Sequence, residues 1–166
     1  MCEFDVSQPG ESRALRATVN AESCPSRIGY FGAAAEGAYA LTATETMSLF
    51  EMGSAQRVAS WGNDLVRGTG LRQTLGVDYL VDCVYEPRGQ RLVLLGGTND
   101  GALEGFLVRP AGFDRLGPLR GADPASGHVD VVRCADAFDG GRGVGWAVVT
   151  GGEDGRIVVW SAAAPA

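Results

Sequence analysis

Ser126, His128 and Asp130 are the residues whose types first suggest chemistry, because a hydroxyl, an imidazole and a carboxylate could form a nucleophile–base–acid set. A small serine hydrolase using Ser126 and His128 is the enzyme reading this sequence offers. The spacing argues against it. In a strand, His128 and Asp130 share a face without the carboxylate reaching Nδ1, and Ser126 is not on a strand-to-helix nucleophile elbow. His128 is the only histidine, so one chain cannot build a site that needs two imidazoles. All 14 basic residues are arginine, which excludes both Schiff-base chemistry and a phosphate-loop lysine. The glycine-rich run GGRGVGW, residues 140–146, has no lysine and no strand-to-helix context, so it reads as a loop. Asp100 and Asp154 each lie alone in a turn, where a short carboxylate caps backbone amides better than it holds calcium. Cys2, Cys24, Cys83 and Cys134 are widely spaced and contain no Cys-x-x-Cys pair. They read as four reduced thiols, mostly packed as small hydrophobes. The sequence therefore predicts no catalytic residue, no cofactor and no metal.

Composition points the same way. Among 166 residues, 45% are hydrophobic and 25 are glycine, which suggests many tight turns between short strands. The net charge of −6 and a pI near 4.7 lack the positive footprint that neutralises phosphates. Neither a nucleic acid nor an anionic membrane is expected as a partner. Glu3, Glu11, Glu22, Glu36, Glu45 and Glu51 form no run and read as solvated surface. The opening Met1-Cys2-Glu3-Phe4-Asp5 lacks the basic and apolar regions of a signal peptide, and no apolar run approaches the ~20 residues of a membrane span. The expectation is a soluble intracellular protein, cytoplasmic or nuclear.

The elements that would position these residues are strands. Apolar or alternating runs bounded by glycine or polar turns recur at 38–43, 47–52, 79–85, 92–95, 102–108, 129–134, 146–150 and 156–160. The one helix-like stretch, 11–17, has no convincing apolar face. Two segments repeat a pattern: LVLLGGTNDGALEGFL at 92–107 and AVVTGGEDGRIVVW at 147–160. Each runs strand, Gly-Gly, acidic turn ending Asp-Gly, strand, with an aromatic six residues after the turn aspartate. A looser copy, AYALTATETMSLFEM at 38–52, has Thr44 for the aspartate and Phe50 for the aromatic, and Phe4 opens a fourth trace. Phe4, Phe50, Phe106 and Trp160 are 46, 56 and 54 residues apart. Propeller blades repeat at roughly 40–45 residues, and loop insertions such as 139–145 account for the excess.

The last unit carries the most specific pattern. It begins Gly127-His128 and ends at Trp160, 32 residues after the histidine. In this it resembles the WD-repeat family of β-propellers. The segments IGYFG, YALTATETMSLFEM, DYLVDC, GGTNDG and TGGEDGRIVVW resemble, in order, the C-terminal half of a seven-bladed member, over nearly the whole chain. The resemblance implies a structural tetrad of His128, Thr150, Asp154 and Trp160, in which the imidazole bridges carboxylate and hydroxyl and the hydroxyl meets the indole N–H. Ser161 stands where the family has aspartate. The units ending at Phe50 and Phe106 lack the histidine, so their blades would rely on packing alone.

An all-β fold follows, a partial WD-repeat propeller of about three complete or nearly complete four-stranded blades plus part of a preceding one. The expected division is a remnant at 1–21 and blades at 24–73, 76–120 and 126–161, in a single propeller fragment spanning 1–166. On that alignment residues 2–7 and 15–21 are the third and outermost strands of the remnant, and the last blade lacks its outer strand. Three explanations compete: a truncated product, two chains closing a ring, or an open arc. The family also implies a non-catalytic scaffold or adaptor for protein or peptide partners, with Asp78, Tyr79, Asn99, Asp100 and Glu153 as contact candidates. Trp61 reads either as an exposed partner-binding aromatic or as packing between blades.

Overall fold

The computed structural model describes residues 1–62, 76–119, 126–139 and 146–161. The chain divides into two compact units, Met1–Leu65 and Val66–Ala166. Both are built from antiparallel sheets. In the first unit, β1 (Cys2–Phe4) pairs with β2 (Leu15–Thr18), and β3 (Pro25–Phe31), β4 (Gly37–Thr42), β5 (Met47–Glu51) and β6 (Gln56–Trp61) form a four-stranded meander. A single helical turn, α1 (Glu11–Ala14), precedes β2, so only the first four residues of the helix-like stretch 11–17 are helical and the rest lies in the strand expected from residue 15.

In the second unit, β7 (Tyr79–Glu86), β8 (Arg91–Gly97), β9 (Leu103–Arg109) and β10 (Gly112–Pro118) form another meander. It is followed by a three-stranded sheet of β11 (Val132–Asp139), β12 (Trp146–Gly152) and β13 (Ile157–Ser161). The strand expected at 129–134 thus begins three residues later. Asp139, expected in a loop, is the last residue of β11, and 140–145 lie outside the described residues.

The three central hairpins share one register. Ala38 faces Phe50, Leu94 faces Phe106 and Val148 faces Trp160 across neighbouring strands. Their turns match as well. The amide of Thr42 donates to the Thr46 carbonyl at 3.0 Å, Thr98 to Ala102 at 3.0 Å, and Gly152 to Arg156 at 3.2 Å. The fourth residue of each turn has positive φ: Glu45 at 59°, Gly101 at 91° and Gly155 at 73°. Each meander's first strand, and β11, carries a register shift near its start. Such bulges bend a strand and increase its local twist.

The second strand of each meander is buried on both faces, β4 at every residue and β8 at every residue but Arg91. In Met1–Leu65 an apolar cluster joins Val19, Ala21, Ala38, Ala40, Phe50 and Met52, with Met1 and Ala17 packed against it. In Val66–Ala166, Val81, Val93, Leu95 and Leu103 from the meander pack with Val132, Val148, Val158 and Trp160 from the three-stranded sheet. Two polar contacts pin these sheets together: the Val132 amide donates to the Tyr79 hydroxyl at 2.7 Å, and Arg88 pairs with Asp139 at 2.7 Å. Of the cysteines only Cys83 is buried. Cys2, Cys24 and Cys134 are exposed, which corrects the expectation that most pack as small hydrophobes. Each of the three sits where its strand or loop turns a face to solvent.

Candidate functional site

The polar centre of the three-stranded sheet forms around His128, whose side chain is fully buried. Its Nδ1 lies 3.0 and 3.1 Å from the two Asp154 oxygens, and its Nε2 lies 2.8 Å from Thr150 Oγ1. The Trp160 indole N–H donates to the same Thr150 oxygen at 2.7 Å. The proton order follows from the two ends. An indole can only donate and a carboxylate only accept. Trp160 therefore donates to Thr150, the Thr150 hydroxyl to Nε2, and the Nδ1–H to Asp154. No polar atom along this buried chain is left unpaired.

The backbone shapes the site in ways that the residue types alone do not reveal. Asp154 also accepts the amides of Val129 at 2.9 Å and Arg156 at 3.0 Å. Burial pushes its pKa up, but these two amides and the His128 ring outweigh that and hold the carboxyl at about 2. Gly152 is required by proximity: a Cβ there would stand 2.6 Å from His128 Nδ1 and 2.9 Å from Asp154 Oδ1. Arg156 reaches back to donate to the Gly127 carbonyl at 2.7 Å. Neither Gly152 nor Arg156 stood out in the sequence, although the Gly-Gly pair before the Asp-Gly turn was the available signal.

The same position is filled differently in the meander β7–β10. Gly96 stands where Thr150 does, and Phe106 where Trp160 does. A Cβ on Gly96 would lie 2.6 Å from Val77 Cγ1 and 3.3 Å from the Phe106 ring, so a fully buried valine fills the space a hydroxyl and imidazole would need. In Met1–Leu65, Ala40 and Phe50 take these positions within the cluster described above. Packing is not the whole account of these two sheets. The Thr42 hydroxyl bonds those of Thr46 at 2.7 Å and Thr44 at 3.0 Å, and the Thr98 hydroxyl bonds Asp100.

The hydrolase geometry is not assembled. Both ring nitrogens of His128 hold Thr150 and Asp154, Asp130 accepts the Val131 amide at 2.7 Å, and Ser126 lies on the exposed segment before the histidine. Among the described residues no group of three or more His, Cys, Asp or Glu could hold a metal ion. No helix among them is long and apolar enough to cross a membrane.

The contact candidates gather at one end of the second unit. Asp78 accepts the Asn99 amide at 3.0 Å, and Tyr79, whose pKa is raised by burial, donates to the Thr98 carbonyl at 3.4 Å. Gly101 lies against the His128 backbone, and the Glu153 amide donates to the Val131 carbonyl at 2.8 Å. Glu153 pairs with Arg133, its carboxylate 2.7 Å from Nε. Asn99, Asp100, Asp130 and Glu153 are exposed, whereas Asp78 and Tyr79 are half-buried and act beneath them as braces. Trp61 ends β6 half-buried, and the Asn63-Asp64 that follows it lies outside the described residues.

No family model matches the chain. It is 27% identical over 163 residues to the WD repeat-containing protein 89 homolog of Dictyostelium discoideum, covering 97% of this chain and 42% of that protein. It is 32% identical over 155 residues to WD repeat-containing protein GTS1 of Arabidopsis thaliana, covering 88% of this chain and 37% of that protein. The chain thus spans about two fifths of the length of these curated relatives. Among solved structures it resembles a chain in the crystal structure of the mitotic checkpoint complex, with a TM-score of 0.55 over 82% of this chain and 36% of that one. At 13% identity that likeness speaks for the fold alone. Relatives across nearly the whole length, a matching fold and a thrice-repeated hairpin register lead to one conclusion: the chain is similar to WD-repeat proteins along nearly all of its length and is folded as part of a β-propeller.

Proposed function

We propose that the chain is a non-catalytic scaffold, an adaptor that holds protein or peptide partners on the turns at one end of its second unit. One observation carries this reading. Asn99, Asp100, Asp130 and Glu153 are exposed on backbone that Asp78, Tyr79 and the His128–Asp154 pair fix from below. A rigid support under exposed polar side chains suits recognition, because little ordering entropy is lost on binding. The side chains that could do chemistry are used internally, and the serine hydrolase reading has no free base to work with. The setting we infer is intracellular, cytoplasmic or nuclear, consistent with four reduced thiols and the absence of any disulfide among the described residues.

The test is a double variant, Asn99→Arg with Glu153→Arg, compared with the wild type by affinity purification from the cells that produce the protein. Both sites are exposed, and surface ion pairs contribute only about 0–1 kcal/mol, so the melting temperature should hold. Recovery of bound proteins should fall by about tenfold or more. An unchanged set of bound proteins in unchanged amounts would show that this end of the sheets is not the binding surface.

A further inference from the structure

The third residue of the shared hairpin turn is set up to carry a negative charge. The three turns align residue by residue, 42–46 with 98–102 and 152–156, so Thr44, Asp100 and Asp154 are counterparts. Two of the three are carboxylates. Asp154 accepts the amide of Arg156, the fifth residue of its turn, at 3.0 Å, and against the cost of burial its carboxyl is held at about 2. Asp100 accepts the Thr98 hydroxyl, which together with the Ala102 amide holds its carboxyl below the ordinary carboxylate range.

The turn 42–46 has the same donors but no charge for them to meet. Its Thr46 amide donates to Thr42 Oγ1 at 3.3 Å, as the Ala102 amide donates to Thr98 Oγ1 at 3.0 Å. With the oxygen accepting, each hydroxyl proton is free to turn to the third residue: to Asp100 in one turn, to Thr44 Oγ1 at 3.0 Å in the other. Thr46 Oγ1 lies 2.7 Å from Thr42 Oγ1, so an acceptor at residue 44 would draw on two linked hydroxyls. Thr42 is buried, whereas Ala43 and Thr44 are exposed. This position opens to solvent in the middle of the chain too, since Asp100 is exposed although Gly101 beside it lies against the His128 backbone.

We propose that Thr44 is a phosphate acceptor, whose phosphoryl group takes the anion position that Asp100 and Asp154 fill in the later turns. In the transfer, Thr44 Oγ1 attacks the terminal phosphorus of a nucleoside triphosphate held by a protein kinase. The new O–P bond forms as the bond to the bridging oxygen breaks. The nucleoside diphosphate leaves, and the hydroxyl proton passes to a base of the kinase. The product carries about −1.5 to −2 charges and three acceptor oxygens, within reach of the Thr42 and Thr46 hydroxyls. Glu45 follows directly and opposes the charge, so the net gain is modest.

The test incubates the purified full chain with magnesium ATP and a lysate of the cells that produce the protein, followed by peptide mass mapping. The peptide holding Thr44 should gain one phosphoryl group, and Thr44→Ala should lose that label. The phosphorylated chain should melt roughly 2–4 °C above its unmodified form, the shift that a small gain produces in a chain of this length. Thr42→Val, compared with its own unmodified form, should show no such rise; Thr46→Val takes its place if it does not fold. Independently of any kinase, Thr44→Asp should melt above its neutral isostere Thr44→Asn. A chain with no phosphate on Thr44, whether isolated from its own cells or treated with the lysate, overturns the proposal. So does a melting temperature that phosphate leaves unchanged or lowers, or Thr44→Asp no more stable than Thr44→Asn.

Discussion

Thr150 is the joint of the buried polar chain, since one hydroxyl oxygen serves both the Trp160 indole and the His128 ring. Thr150→Val keeps the volume but leaves an indole N–H and an imidazole nitrogen unpaired in the interior. Each unsatisfied group costs roughly 1–3 kcal/mol, so stability should fall by about 3 kcal/mol, read from the urea midpoint, while Thr150→Ser stays close to wild type. Asp154 adds a pH signature. Its carboxyl titrates at about 2 in the fold, below the ordinary value of about 3.9 in the unfolded chain. The unfolded state therefore takes up the proton first, and the Asp154 contribution is complete above about pH 4 and lost as pH falls toward 2. Asp154→Asn should lower the melting temperature at pH 7 and flatten its decline across that window; an equally steep decline would show that other carboxylates govern it. The identity of these four residues was legible because the Gly-His start and the turn Asp-Gly mark them in the sequence. The exposure of Cys2, Cys24 and Cys134 was not. Whether a small thiol is covered depends on which strand face meets a neighbour, and residue type carries no record of that.

The hairpin turns show how far local sequence fixes an element. All three need positive φ at their fourth residue, which glycine supplies at 101 and 155 and glutamate at 45. A Cβ at Gly155 meets nothing within 4 Å, so Gly155→Ala should cost only the conformational penalty of about 1 kcal/mol. A Cβ at Gly101 would meet the His128 carbonyl carbon and oxygen at 2.6 Å. Gly101→Ala should therefore be distinctly worse, and equal losses on thermal unfolding would contradict that packing. The strands β6 and β10 left no clear mark in the sequence because they are largely solvent-exposed, with charged and small residues interrupting any alternation. The start of β11 was misplaced for a different reason. Val129 and Val131 look like strand, but their backbone is spent on Asp154 and Glu153 instead of on a ladder.

For the molecule as a whole, the spacing of the aromatics together with the Gly-His start of the last unit made a partial propeller legible, because Phe50, Phe106 and Trp160 sit at the same step of the same hairpin. The separation into Met1–Leu65 and Val66–Ala166 left no such periodic trace, since it depends on contacts between residues far apart in sequence. The two fillings of one internal position bear on how such a chain can change over time. Val77, Gly96 and Phe106 occupy the space that His128, Thr150 and Trp160 occupy one sheet later. Each set is self-consistent, but a hybrid is not. A histidine facing Gly96 would find no hydroxyl there, and a valine in place of His128 would leave the Thr150 hydroxyl without its acceptor and Asp154 without the ring. Single-step conversion therefore passes through a state less stable than either end, by roughly 1–3 kcal/mol for each orphaned group, a large share of a small domain's margin of roughly 5–15 kcal/mol. A sheet with the apolar set is held to it by that cost, and the last sheet is held to its polar set by the same barrier.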